Sequence, residues 1–274
     1  MYTSPIRLIA VDLDGTVLND RKQLTPRTAA ALNAAAARGV EIVPATGRTA
    51  AGLPAELLAL PGVRYAITSN GARMMDLAAG RAVRELYLPR EKALAAFDIL
   101  ARYDCVTDLF QDGKGYTTEA NRAAAYRFVP ENLRDYVLRT RTVLPDLREF
   151  IAAQERGIEK LTIFFLEEAE RQKAWAEVAA LGVDVVSSLP LNMEINAAGV
   201  DKGAGLLALA GALMACGDGG NDTAMIQAAG LGVAMANAFP EVKAAADFIT
   251  ADNNADGAAR AVERFILGRA GADV

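Results

Sequence analysis

LIAVDLDGTVL, residues 8–18, decides the fold. It opens as an apolar run of the kind buried in a parallel strand, and it ends on two aspartates, Asp12 and Asp14, ahead of Gly15. In a doubly wound α/β sheet, ligands bind beyond the carboxyl ends of the strands. Two neighbouring carboxylates there repel each other, and a divalent cation or a raised pKa relieves the repulsion. Taken alone, Asp-x-Asp-Gly is equally a turn, because Asp and Gly dominate turns.

The sequence beyond this stretch alternates strand and helix. TPRTAAALNAAAARG, residues 25–39, predicts a helix with Thr25 as N-cap, Pro26 at the first helical position and Gly39 at the end. VEIVPA then reads as a strand, AGLPAELLAL as a short helix and RYAITSN as a strand, the order of βαβ units. Near residue 72 the texture changes. ARMMDLAAGRAVRELYL predicts a hairpin turning around Gly80, followed by the helix REKALAAFDILARY and the strands CVTDLFQ and GYTTEA. A polar helix around PENLRDYVLRTR, the strand KLTIFFL and the helix EEAERQKAWAEVAAL come next, and the βα alternation resumes from Gly199. The expectation is an α/β chain. Residues 1–80 and 190–274 form a discontinuous core with a doubly wound, Rossmann-like parallel sheet, and residues 81–189 form an inserted α+β domain.

Composition narrows the chemistry. The chain has 274 residues, 52% of them hydrophobic, which supports a full core. A net charge of −5 argues against a nucleic-acid surface. The absence of histidine removes Ser-His-Asp and Cys-His catalysis and histidine-based zinc sites, so acid–base work falls to carboxylates, Lys, Tyr or Cys. Cys105 and Cys216 are far apart and match no metal spacing, which predicts two small buried thiols. No apolar stretch is long enough to span a membrane and no signal peptide is legible, so the protein is expected in the cytoplasm.

Polar clusters recur at the predicted strand ends. Thr46, Gly47 and Arg48 follow the second strand, and Ser69, Asn70 and Gly71 the third. Asp218, Asn221 and Asp222 follow LMACG, and Lys202 stands just before a helix. The fold would gather them at one edge, where Asp218 is a third carboxylate for an oxygen-ligand Mg²⁺ site. Each cluster has a bland alternative, a turn, an N-cap or a solvated charge.

In this order, DLDGT, ATGR, DKG and GDGGND resemble the four motifs of the haloacid dehalogenase superfamily. The tail LGVAMANAFPEVKAAADFITADNNADGAARAVERFI resembles its Cof-type sugar-phosphate phosphatases, subfamily IIB, and the insert matches that subfamily's cap in place and size. The resemblance implies that Asp12 is a nucleophile forming an aspartyl-phosphate. It makes Asp14 the proton carrier, and Thr46 and Lys202 the groups holding the transferring phosphoryl oxygens. It implies Mg²⁺ held by Asp12, the Asp14 carbonyl and Asp218, with Asp222 acting through water. Leu13, Gly47, Arg48, Asn70 and Asn221 fall on the phosphate and substrate side, Arg48 at the seam between core and cap, and Asn253 near the metal. The implied partner is a small phosphorylated metabolite, with no nucleic acid or membrane, and the chain acts as a monomer or homodimer. The implied activity is Mg²⁺-dependent phosphatase, with a phosphosugar mutase or a non-catalytic sugar-phosphate-binding regulator as alternatives. Asp112, Lys114, Tyr116 and Arg127 of the cap are candidates for setting specificity. The 203–216 segment before Asp218 is shorter than in similar proteins.

Overall fold

Thr25 caps the first helix through its side chain, which accepts the N–H of Thr28, and Gly39 leaves it with φ +80°. The computed structural model describes residues 5–206 and 213–269. In chain order the elements begin β1 (Leu8–Val11), α1 (Pro26–Ala36), β2 (Glu41–Pro44), α2 (Ala55–Leu58), β3 (Tyr65–Thr68), β4 (Arg73–Asp76) and β5 (Arg81–Glu85). There follow α3 (Arg90–Leu100), β6 (Cys105–Gln111), β7 (Lys114–Thr117), α4 (Glu119–Phe128), α5 (Glu131–Thr140), β8 (Arg141–Val143) and α6 (Leu147–Ala152). The next elements are β9 (Lys160–Phe165), α7 (Glu168–Ala179), β10 (Asp184–Val186), β11 (Asn192–Asn196), α8 (Lys202–Leu206) and β12 (Leu213–Gly217). The chain closes with α9 (Thr223–Ala228), β13 (Leu231–Ala234), α10 (Pro240–Ala245), β14 (Phe248–Ile249) and α11 (Gly257–Phe265).

The chain divides into two compact units: residues 1–47, 53–83 and 201–274, and residues 48–52 with 84–200. The first is built on a five-stranded sheet of order β14-β13-β12-β1-β2, parallel throughout. β1 is buried on both faces. Ile9 and Val11 pack with Leu32 and Ala35 of α1 and Ala258, Ala261 and Val262 of α11, while Leu8 and Ala10 pack with Leu206 and Met225. That explains the unbroken apolar run. The alanines of α1 and α11 let these helices approach closely, and Arg27 is bonded to Glu263 at 2.8 Å across the contact.

The third predicted strand departs from the expectation. β3 lies beside β2, but they share a single parallel bridge, Ala45 with Ile67, and β3 belongs to an antiparallel sheet of order β3-β4-β5. Pro44 is the physical reason. Ile42 and Thr46 donate their N–H groups to the carbonyls of Gly62 and Ile67. Pro44, midway between them on the same side, has no N–H to give.

The second unit is a six-stranded sheet of order β10-β11-β9-β6-β7-β8, antiparallel except for β7 with β8. Its far boundary falls after Val200 rather than near residue 190, because Asn192–Asn196 pairs antiparallel with β9. The sheet buries two ion pairs, Arg141 Nε to Asp108 Oδ2 at 3.0 Å and Lys160 Nζ to Glu194 Oε2 at 2.8 Å. Arg141 also lies 4.6 Å from the Phe110 ring centre. The local sequence pattern does not mark β8, α4 or α6. Of the short 203–216 segment, residues 207–212 lie outside the described residues.

Candidate active site

β1 delivers Asp12 to the sheet's carboxyl edge, where its N–H donates to the Cys216 carbonyl at 3.0 Å. Asp12 is buried, and Lys202 at the start of α8 is fully buried. The ammonium donates to Asp12 Oδ1 at 2.7 Å and to Asp222 Oδ1 at 2.6 Å. Carboxylate oxygens of Asp12, Asp218 and Asp222 all lie within 4.8 Å of one another. Residues separated by up to about 200 positions thus meet at the edge where a parallel sheet places ligands.

Glycines make the approach possible. Gly15 has φ +86°, and a Cβ there would lie 2.3 Å from Asp218 Oδ2, so the turn after Asp14 excludes a side chain twice over. Gly71 has φ +109°, and a Cβ there would lie 2.4 Å from the Asp201 carbonyl, so the 69–71 turn sits against the residue preceding Lys202. Ser69 and Asn70 are also left-handed, at φ 51° and 62°. This strained turn presents Asn70 Oδ1 to the Asn221 side-chain amide at 3.0 Å, and the Asn70 N–H donates to the Thr46 carbonyl at 3.1 Å.

The electrostatics are unbalanced. Burial, with added repulsion from Asp222, lifts the Asp12 carboxyl to about 7 against the pull of Lys202. Burial and the charges of Asp12 and Asp222 hold Asp218 well above the usual carboxylate range. Burial works to lower the Lys202 ammonium, but Asp12 and Asp222 more than reverse it and keep it protonated. Three carboxylates face one lysine, so the donor set fits a divalent oxygen-seeking cation. The three are not equivalent. Asp222 Oδ2 accepts the N–H groups of Asp218 and Gly219, both at 3.0 Å, while its Oδ1 takes Lys202. It has little capacity left for a metal. Asp218 accepts Thr16 Oγ1 at 2.8 Å and Asn237 Nδ2 at 3.3 Å, and keeps lone pairs to offer.

The remaining candidates fall in distinct places. Asp14 pairs with Lys22 at 2.8 Å, with 30% of its side chain exposed. Thr46 is buried, and its N–H donates to the Ile67 carbonyl at 2.9 Å. The Leu13 side chain is in the hydrophobic core, so only its backbone could serve an anion. Gly47 ends a segment of the first unit, and Arg48 groups with the second, its guanidinium 4.3 Å from the Tyr136 ring centre and its Nη1 donating to the Gly52 carbonyl at 3.0 Å. Asn253 does not point at the carboxylates. It donates to the Leu18 carbonyl at 3.1 Å and Asp20 at 3.0 Å, and its backbone N–H donates to Asn237, which in turn reaches Asp218. Of the specificity candidates, Asp112 forms a turn at φ 50°, Tyr116 stacks on Phe150 at 4.8 Å, Arg127 pairs with Asp104 at 2.9 Å, and Lys114 is exposed. Both cysteines are free thiols, with Cys216 buried and Cys105 only half-buried.

Sequence reasoning missed Thr16, Lys22 and Asn237. Thr16 stood inside the quoted motif. Asn237, three residues beyond β13, gave the same strand-end signal as the residues that were chosen.

Comparison with known proteins agrees with this geometry. The haloacid dehalogenase-like hydrolase family matches residues 9–262. The chain is 31% identical to the 5-amino-6-(5-phospho-D-ribitylamino)uracil phosphatase YcsE of Bacillus subtilis, over 96% of each chain. It is 29% identical to the pyridoxal phosphate phosphatase YbhA of Escherichia coli, over 95% of this chain and 99% of that one. A haloacid dehalogenase-like hydrolase from B. subtilis superposes with a TM-score of 0.82 at 27% identity, covering 94% of this chain and 99% of the other. With the four motifs assembled at one sheet edge and the match running nearly end to end, the chain belongs to the haloacid dehalogenase-like hydrolases and is a phosphatase.

Proposed function

We propose that the protein hydrolyses phosphate monoesters of small metabolites, sugar or polyol phosphates above all, with Mg²⁺ and through a phosphorylated Asp12. The observation that carries this reading is the buried lysine bonded to Asp12 at 2.7 Å amid carboxylates within 4.8 Å. The substrate class draws support from YcsE, whose named substrate carries its phosphate on a ribityl chain.

Asp12, Asp218 and the Asp14 carbonyl would hold the cation, with Asp222 fixing Lys202 and the Asp218–Gly219 backbone. Bound there, Mg²⁺ supplies charge neutralisation to the phosphoryl oxygens. Lys202 occupies Asp12 Oδ1, which leaves Oδ2 for in-line attack on phosphorus. As the Oδ2–P bond forms, the bond from phosphorus to the substrate oxygen breaks, and Asp14 gives its proton to the leaving alkoxide. Asp14 then takes a proton from water, whose oxygen attacks phosphorus and releases Asp12 and inorganic phosphate. The exposure of Asp14 suits a group that exchanges protons twice per turnover. Lys202 and the Thr46 hydroxyl stabilise the equatorial oxygens in both halves.

The test is phosphate release from a panel of sugar phosphates, polyol phosphates and p-nitrophenyl phosphate with Mg²⁺. Release from at least one sugar or polyol phosphate, lost in Asp12→Asn, is expected. No release from any of them would overturn the proposal. Interconversion of hexose 1- and 6-phosphates without net phosphate release would replace hydrolysis by return of the phosphoryl group to the sugar.

A further inference from the structure

The second unit contains a groove of about 390 Å³ that takes no part in the phosphatase reading. Its size is in the range of small-molecule sites. Phe128 and Pro130, at the junction of α4 and α5, and Phe164 of β9 line it. Leu189, Pro190 and Leu191 line it from the 187–192 turn.

That turn is preformed. The Asn192 side-chain oxygen accepts the N–H groups of Ser188 at 3.0 Å and Leu189 at 2.9 Å, and the Ser187 hydroxyl donates to the Leu189 carbonyl at 2.6 Å. Pro130 and Pro190 each fix a backbone dihedral on either side. The turn is therefore ordered although it leaves Leu191 36% exposed. A cavity that is rigid before a ligand arrives avoids the ordering cost of binding.

The groove also has a cation with spare hydrogen-bonding capacity. Arg134 lines it, and among the described residues no carboxylate pairs with Arg134. Its Nη2 reaches only the Val129 carbonyl, at 3.4 Å, and its Nε is buried with no acceptor. The guanidinium rests 5.3 Å from the ring centre of the exposed Tyr126. The other arginine at the groove, Arg127, is committed to Asp104 at 2.9 Å. A guanidinium fork with unused donors beside apolar walls recognises a carboxylate attached to an apolar body.

We propose that this groove is a binding site for a small organic acid, with the apolar part between Phe128 and Leu189 and the carboxylate on Arg134. The residues that line the site all belong to the inserted unit.

The test uses the full-length protein and two probes of one shape, 2-naphthoate and the neutral 2-naphthalenemethanol, titrated while backbone amide resonances are followed. Binding of 2-naphthoate should shift residues 127–134 and 187–192, with about tenfold tighter affinity than the neutral probe. Arg134→Met should remove that preference and leave the neutral probe's affinity unchanged, which also shows that the variant is folded. Leu189→Trp, filling the groove, should abolish binding of both. Equal affinity for the two probes, shifts elsewhere, or an Arg134→Met protein that keeps the preference would overturn the proposal. So would a concentration-dependent dimer, lost in Leu191→Asp, that protects the same amides without any probe, because the occupant would then be a second copy of the chain.

Discussion

Each unit buries cations against carboxylates, but the two do it to opposite ends. In the inserted unit, Arg141 meets Asp108 at 3.0 Å, with both side chains sealed from water and the guanidinium laid against Phe110. In the first unit, Lys202 meets Asp12 and Asp222, and Asp218 crowds the same space. The first arrangement is one charge for one charge and is complete. The second has more negative charge than its lysine can cancel, so it invites a further cation and resists being left alone. Buried ion pairs by themselves say little about function. The imbalance between donors and acceptors of charge is what separates a site from a strut.

The comparison can be broken or sharpened by removing one group at a time. The largest effect belongs to Asp12. Asp12→Asn should lower phosphate release by at least about 10⁴-fold, measured as kcat with p-nitrophenyl phosphate, because the covalent route is lost. Lys202→Met should cost about 10²- to 10³-fold in kcat, the usual loss on removing one charge-stabilising group. In the inserted unit the effect should fall on stability instead. Asp108→Asn leaves Arg141 buried without its counter-charge and should cost about 3 kcal/mol in chemical denaturation, while the paired change Asp108→Leu with Arg141→Met should recover most of it.

The sign should reverse at the crowded cluster. The Asp12 carboxyl is raised from 3.8 to about 7, so the fold favours its protonated form. That contribution is fully present below the unfolded value and is lost as pH rises through about 7. In EDTA the wild type should therefore lose melting temperature relative to Asp12→Asn between pH 4 and pH 8, and added Mg²⁺ should restore it. A difference that is flat with pH would show that the cluster is balanced after all. The smallest effect concerns the thiols. Burial pushes Cys105 to about 11 and Cys216 to about 12, so both should resist iodoacetamide at pH 8 until the protein is unfolded.

Much of the fold was legible because the local signals agreed with one another. The apolar run of β1, the Thr25-Pro26 start and Gly39 end of α1, and the polar residues closing successive strands each point to a parallel α/β core. What was not legible depends on partners remote in sequence. The loss of the β2–β3 ladder needs Pro44 to face β3 rather than β1, and only the register decides that. The far boundary of the insert depends on Asn192–Asn196 choosing β9, a strand that periodicity alone does not select. The site was legible as a set of strand ends. Its inner order was not: that both oxygens of Asp222 are occupied, that Asp14 pairs with Lys22, and that the Asn237 side chain bonds both Asp218 and the Asn253 backbone are facts of side-chain direction. The Arg141–Asp108 pair left no trace in the sequence, because a lone Arg and a lone Asp normally read as surface charges.

The pairing of β1 with β12 has a consequence for how the protein is made. β1 pairs on one side with β2, which follows it closely in sequence, and on the other with β12, which is made roughly 200 residues later, about 10–40 s at ordinary rates of synthesis. The second unit's strands, by contrast, all lie between Arg84 and Val200 and can pair with one another in that interval. Translation thus leaves the edge of β1 that faces β12 open to chaperones and to wrong partners until the strand leading to Asp218 has been synthesised.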